Sequence, residues 1–176
     1  PSGSGKSTLL RLCNRLVVPT SGTVRYRGVP LDSLDPVTLR RQVGMVFQRP
    51  TTFDGTCFDN LRAATRRGDT LDLAAAAALL RRVGLHPDLL DRDAAVLSGG
   101  EAQRLCVART LATGCGALLA DEPTSSLDPE ATATLEALAR ELADTGIPVV
   151  WVTHDTAQAE RLADHRLSVD GGRVRG

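Results

Sequence analysis

The chain has 176 residues, with 21 basic and 21 acidic side chains, zero formal net charge and 42% hydrophobic residues. That is enough chain for one domain with a real core, in the proportions of an ordinary globular protein. Neutral charge argues against a nucleic-acid partner, whose binders show a basic excess. The longest apolar run, Leu73 to Leu80, is far below the roughly 20 residues of a membrane helix, so no bilayer span and no signal peptide are expected.

In chain order, residues 1–5 are a Ser/Gly loop and 6–17 read as a helix with apolar Leu9, Leu10, Leu12 and Leu16. Ser21-Gly22 is a turn, Thr23–Arg27 alternates like a strand, Pro36–Gln42 is a short helix and Val43–Phe47 a buried strand. Helical stretches follow near 58–66, 70–83 and from Gly100 to about Thr113. Then come a strand at Ala117–Ala120 and a helix at Pro129–Asp144 with Pro in its first turn. The chain ends with a strand at Val149–Val152, a helix at Thr156–Ala163 and a strand at Arg166–Val169 before a Gly-Gly turn. Alternating strands and helices predict an α/β fold with a mainly parallel sheet. The stretch 50–96 interrupts the alternation and reads as an inserted helical subdomain.

Cys13, Cys57, Cys106 and Cys115 show no C-x-x-C spacing, and His86, His154 and His165 lie far from them in sequence. Neither zinc nor a disulfide framework is expected; the thiols read as reduced, in a cytosol. Of the 21 basic residues only Lys6 is a lysine. A chain that uses arginine everywhere else retains lysine where a compact ammonium must enter a space too narrow for a guanidinium fork.

Lys6 stands in Pro1-Ser2-Gly3-Ser4-Gly5-Lys6-Ser7-Thr8. This is the phosphate-loop pattern G-x-x-x-x-G-K-[ST] without its first glycine, so the start of the domain is expected to be missing. Backbone N–H groups of Ser2 to Thr8 would curl around phosphates and the following helix would point its positive end at them. Lys6 would neutralise the β- and γ-phosphates and Ser7 would ligate Mg²⁺. The bland alternative is a Ser/Gly linker, but few linkers run straight into G-K-S-T and an apolar helix. The apolar strand 117–120 ends in Asp121-Glu122-Pro123. There Asp121 would hold the magnesium and Glu122 would activate or position a water. Alone, this pair reads equally as turn or cap acids.

A second phosphate-binding helix start occurs at Leu97-Ser98-Gly99-Gly100-Glu101-Ala102-Gln103-Arg104. One nucleotide site does not need two such binders; a site shared between two subunits does. LSGGEAQR resembles the signature motif of ABC-type ATPases. Gln48 is similar to their Q-loop glutamine, Asp121-Glu122 to Walker B, Ser125-Ser126-Leu127-Asp128 to the D-loop and His154, in W-V-T-H-D, to the switch histidine.

The resemblance implies a RecA-like P-loop NTPase core formed by 1–49 and 97–176, with 50–96 as the helical subdomain. It implies an ATPase using ATP and Mg²⁺, with Ser7, Gln48 and Asp121 at the metal and Glu122, His154 and Gln48 as the catalytic group. Ser98, Gly99, Gly100 and Glu101 would read the ATP held by a second nucleotide-binding domain, in a homodimer that Asp128 helps to close. The family's adenine-stacking aromatic would lie upstream of residue 1, and the 176 residues alone are expected to bind ATP poorly and fold marginally. Transmembrane permease subunits would be separate chains, with a solute-binding protein if the system imports. The motor would lie peripherally on the cytoplasmic face of the membrane.

Residues 49–60 (RPTTFDGTCFDN) correspond to the face that grips a permease, with Phe53 and Phe58 as either anchors or subdomain core. The pattern is similar to phosphate-uptake ATPases and to a group linked to metal or iron export. Two other classes are considered. DNA-acting members carry long insertions between phosphate loop and signature, for which this chain is too short. Ribosome-acting members hold two such domains in one chain.

Overall fold

The computed structural model describes residues 4–65 and 69–175. Its centre is a parallel sheet of β3 (Val43–Val46), β4 (Ala117–Asp121) and β5 (Val149–Val152) in the order β3-β4-β5. Val43 lies opposite Ala117, and Leu118 opposite Val149. Every residue of β4 is buried, which is why it reads as an unbroken apolar run ending in one carboxylate.

Successive residues of a strand face opposite sides, and here they feed two cores. Leu118 joins a cluster with Leu61, Leu80, Leu105 and Leu135. Leu119 joins Leu10, Leu39, Val43 and Val152 on the other side. The first cluster is built by α3 (Cys57–Arg62), α4 (Leu73–Arg82), α5 (Gly99–Ala112) and α6 (Pro129–Asp144). Helices α3 and α4 pack against α5, which packs on β3. The second cluster is built by α1 (Lys6–Cys13) and α2 (Pro36–Gln42). Helix α7 (Thr156–Leu162) packs beside α6.

Several elements are shorter than the periodicity predicts, each for a local reason. The helix expected over 6–17 ends at Cys13. Arg15 takes φ 60°, its N–H bonds Leu12 O at 3.3 Å and the N–H of Leu16 bonds Arg11 O at 2.9 Å, the reversal that closes a helix. The Arg15 guanidinium then bonds the carbonyls of Leu31 and Leu34. The strand expected over 23–27 reduces to β1 (Arg25–Tyr26), which pairs with β2 (Val29–Pro30) across Arg27 and Gly28 at φ 49° and 81°. Two positive φ values in a two-residue turn suit the twist of a hairpin. The same device at Gly171 and Gly172 joins β6 (Ser168–Asp170) to β7 (Arg173–Arg175), a strand that alternation does not predict.

Candidate functional site

Six helices begin with a side-chain cap: Asp35, Thr56, Asp72, Ser98, Asp128 and Asp155 for α2 through α7. Helix α1 follows Gly5, φ 102°, with no side-chain cap among the described residues. Ser2 and Gly3 lie outside the described residues. Lys6 Nζ donates to the buried Ser4 Oγ at 3.0 Å, and Thr8 is exposed.

From α1 the site crosses to the sheet. Ser7 Oγ donates to Asp121 Oδ1 at 2.9 Å across 114 residues of sequence. Asp121 is 3% exposed at the end of β4. Glu122 continues the ladder through its N–H to Val152 O at 3.0 Å and then turns to φ 47°. A left-handed backbone on a glutamate costs on the order of 1–3 kcal/mol and persists only where the surroundings impose it. Here the turn aims the carboxylate at two partners. Gln48 Nε2 donates to Glu122 Oε2 at 3.4 Å, and His154 Nδ1 lies 3.0 Å from the same oxygen. His154 is 69% exposed and Glu122 19%. A cavity of about 230 Å³ opens beside them, lined by Glu122, Thr124, Ser125, Thr132, Thr153, His154, Asp155 and Gln158.

Ser7, Gln48, Asp121, Glu122 and His154, read from separate stretches of sequence, thus form one group by direct bonds and chain adjacency. Ser98 and Glu101 instead bond each other: the N–H of Glu101 donates to Ser98 Oγ at 3.2 Å and the N–H of Ser98 to Glu101 Oε2 at 2.8 Å. Two of the backbone donors expected to face an anion are satisfied within the helix start. The Ser98 hydrogen bond is also the leading reason that Glu101 ionises below the usual carboxylate range. A Cβ on Gly99 would meet open space, while one on Gly100 would touch Leu127 at 3.3 Å. Asp128 accepts from the N–H of Ala131 at 2.8 Å, which lowers its pKa.

Two further glutamines matter, one inside the signature stretch without an assigned role and one outside every motif. Gln103 is fully buried and donates to Phe47 O at 2.9 Å, holding the residue before Gln48. Gln158, 3% exposed, bonds Trp151, Thr124 and Glu136. Gln103 stands within LSGGEAQR, a position that by itself names no partner. Phe53 is 52% exposed beneath the Arg109 guanidinium, 4.3 Å from its ring centre, while Phe58 packs against the larger apolar cluster.

A family model described as ABC transporter matches residues 1–125. The chain belongs to the ABC transporter family. Among ABC relatives, Protein STAR1 of Oryza sativa subsp. japonica is 47% identical over 166 residues, 93% of this chain and 48% of its own length. Phosphate import ATP-binding protein PstB 1 of Vibrio parahaemolyticus is 43% identical over 189 residues, 99% of this chain and 69% of its own. This ABC chain therefore spans about half the length of the first relative. A solved ATP-binding cassette, a dimer in a post-hydrolysis state bound to ADP and Pi, matches with TM-score 0.86 at 30% identity. The match covers 99% of this chain and 82% of that one.

Proposed function

We propose that this chain is the ATP-binding and ATP-hydrolysing motor of a membrane transporter. The observation that carries the proposal is the convergence of Gln48, Glu122 and His154 beside the bonded pair Ser7 and Asp121. Such a cluster serves in-line attack of water on a terminal phosphate.

Magnesium fits the donor set. Mg²⁺ is held by one or two oxygen ligands of the protein together with substrate phosphates and water. Ser7 Oγ and Asp121 Oδ1, 2.9 Å apart, supply a hydroxyl and a carboxylate at one point, and Gln48 would add its amide oxygen. The ion would neutralise charge on the β- and γ-phosphate oxygens. The loop before α1, the start of that helix and Lys6 bind those phosphates. Glu122 takes a hydrogen bond, and then the proton, from the attacking water. Gln48 orients that water and His154 donates toward the γ-phosphate.

Ser98, Gly99 and Gly100, with Glu101 capping them, complete the site of a second copy, and Asp128 lies on the closing face. The solved relative with ADP and Pi is a dimer, which supports this reading. Closure is the work stroke, because the copies are bridged only while γ-phosphate is present. No helix among the described residues is long and apolar enough to cross a membrane. The channel would be a separate permease, gripped through the 50–96 subdomain, with the motor on the cytoplasmic face. Similarity to a phosphate import protein favours an importer with a solute-binding protein.

The test is to tag the full-length protein, extract membranes from its source cells and identify what co-purifies, with ATP turnover measured on the product. A multi-spanning permease and turnover are expected. DNA or ribosomes without a membrane partner would overturn the transport reading and leave the ATPase reading standing.

A further inference from the structure

Glu122 and His154 sit on different loops, one after β4 and one after β5, yet approach to 3.0 Å. An imidazole that is 69% exposed is not held by packing. Something behind it must hold the loops in register, and the buried amide of Gln158 reaches both. Trp151 Nε1, on the strand that leads to His154, donates to Gln158 Oε1 at 3.1 Å. Gln158 Nε2 donates to Thr124 Oγ1 at 3.0 Å, in the loop that follows Glu122, and to Glu136 Oε1 at 2.9 Å on α6.

The orientation of this amide is chemically forced. An indole N–H only donates and a carboxylate only accepts, so a flipped amide would lose both bonds. Glu136 is kept ionised, first by its hydrogen bond from Arg161 and also by the one from Gln158. Asp155, next to His154, caps α7 through the N–H groups of Ala157 and Gln158. The backbone and the side chain of Gln158 therefore tie together the His154 loop, β5, α6 and the Glu122 loop.

We propose that Gln158 is a positioning residue for ATP hydrolysis: it holds the Glu122–His154 pair at bonding distance. The proposal rests on the ATPase reading above. Gln158→Met keeps length and removes the polar ends. Gln158→Glu keeps the acceptor for Trp151 but loses both donors and sets a second carboxylate against Glu136. Sites whose reacting groups move by an ångström lose about 10²-fold in rate. The expected result in the full-length protein is therefore a fall in kcat of roughly 10- to 100-fold, with KM for ATP within about twofold of wild type. In a His154→Ala background Gln158→Met should add little, because the pair it positions is already gone.

Wild-type kcat in both Gln158 variants would overturn the proposal. So would an equal loss with and without His154, the mark of a merely structural role. If either variant fails to fold, Trp151→Phe removes one bond and leaves a ring in the core, and the same kcat-specific, His154-dependent loss is expected at smaller size. Absence of ATP turnover by the wild-type protein in this assay would instead overturn the ATPase reading.

Discussion

The starts of helices α1 and α5 both lie in glycine-containing sequences, and they are finished in opposite ways. Helix α1 starts without a side-chain cap among the described residues, and its Ser7 is bonded to Asp121 beside the Gln48–Glu122–His154 group. Helix α5 starts with Ser98 and Glu101 satisfying each other, next to a Gly99 that faces open space. The first is a site assembled within one chain; the second is stable alone and presents an open surface. A helix start without a side-chain cap suits a position where the loop before it is meant to hold an anion. A capped start can wait on the surface for a second copy.

The largest test of this contrast is Glu122→Gln in the full-length protein. Losing the base should reduce turnover by about 10²- to 10⁴-fold while ATP still binds and a dimer accumulates on size exclusion. Normal turnover would remove Glu122 from the role assigned here. Lys6→Arg should lower turnover by on the order of 10²-fold, since a planar fork does not enter the cradle that Lys6 shares with Ser4; full activity would break the geometric argument.

Ser98→Arg sharpens the comparison, since it should abolish ATP-driven dimerisation without disturbing the phosphate loop. Mixing Lys6→Arg chains with Ser98→Arg chains should then restore part of the turnover, because one of the two shared sites is intact in the mixed dimer. No recovery on mixing would argue against the shared site. Ser98→Ala should cost only about 1 kcal/mol of thermal stability.

The smallest effect is the pH dependence of the cap. Glu101 ionises below its ordinary value because it accepts the N–H of Ser98. Its folded pKa lies below the unfolded one, so its contribution is present above the ordinary glutamate value of about 4.3. That contribution is lost as pH falls through the lower folded value. Melting temperatures from neutral to acid pH should fall less steeply in Glu101→Gln than in wild type; identical slopes would show that Glu101 does not link the cap to pH.

Most of the site group was legible because its residue types are tied to short chemical patterns. Gly5-Lys6-Ser7, with Gly5 at φ 102°, and Asp121-Glu122 each need a particular backbone or charge within a few residues. Strands β3 and β4 were legible too, because strands buried on both faces must be apolar throughout. Helix α6 was read with its ends, from Pro129 in its first turn, and the structure adds Asp128 as its cap. The end of α1 was not, because Arg15 in a left-handed turn follows from bonds to Leu31 and Leu34, which sequence periodicity does not encode.

The α/β class, the phosphate-loop pattern, the acidic strand end and a second glycine-bearing helix start are all readable from residue order, since each rests on local backbone chemistry. That Ser7 meets Asp121, that Glu122 turns to meet Gln48 and His154, and that Gln103 and Gln158 bond the segments behind them is visible only in the folded chain. Those contacts depend on how separate strands and helices pack across the sheet. A buried amide is ordinary in sequence and acquires its meaning from the donors and acceptors that the fold brings to it.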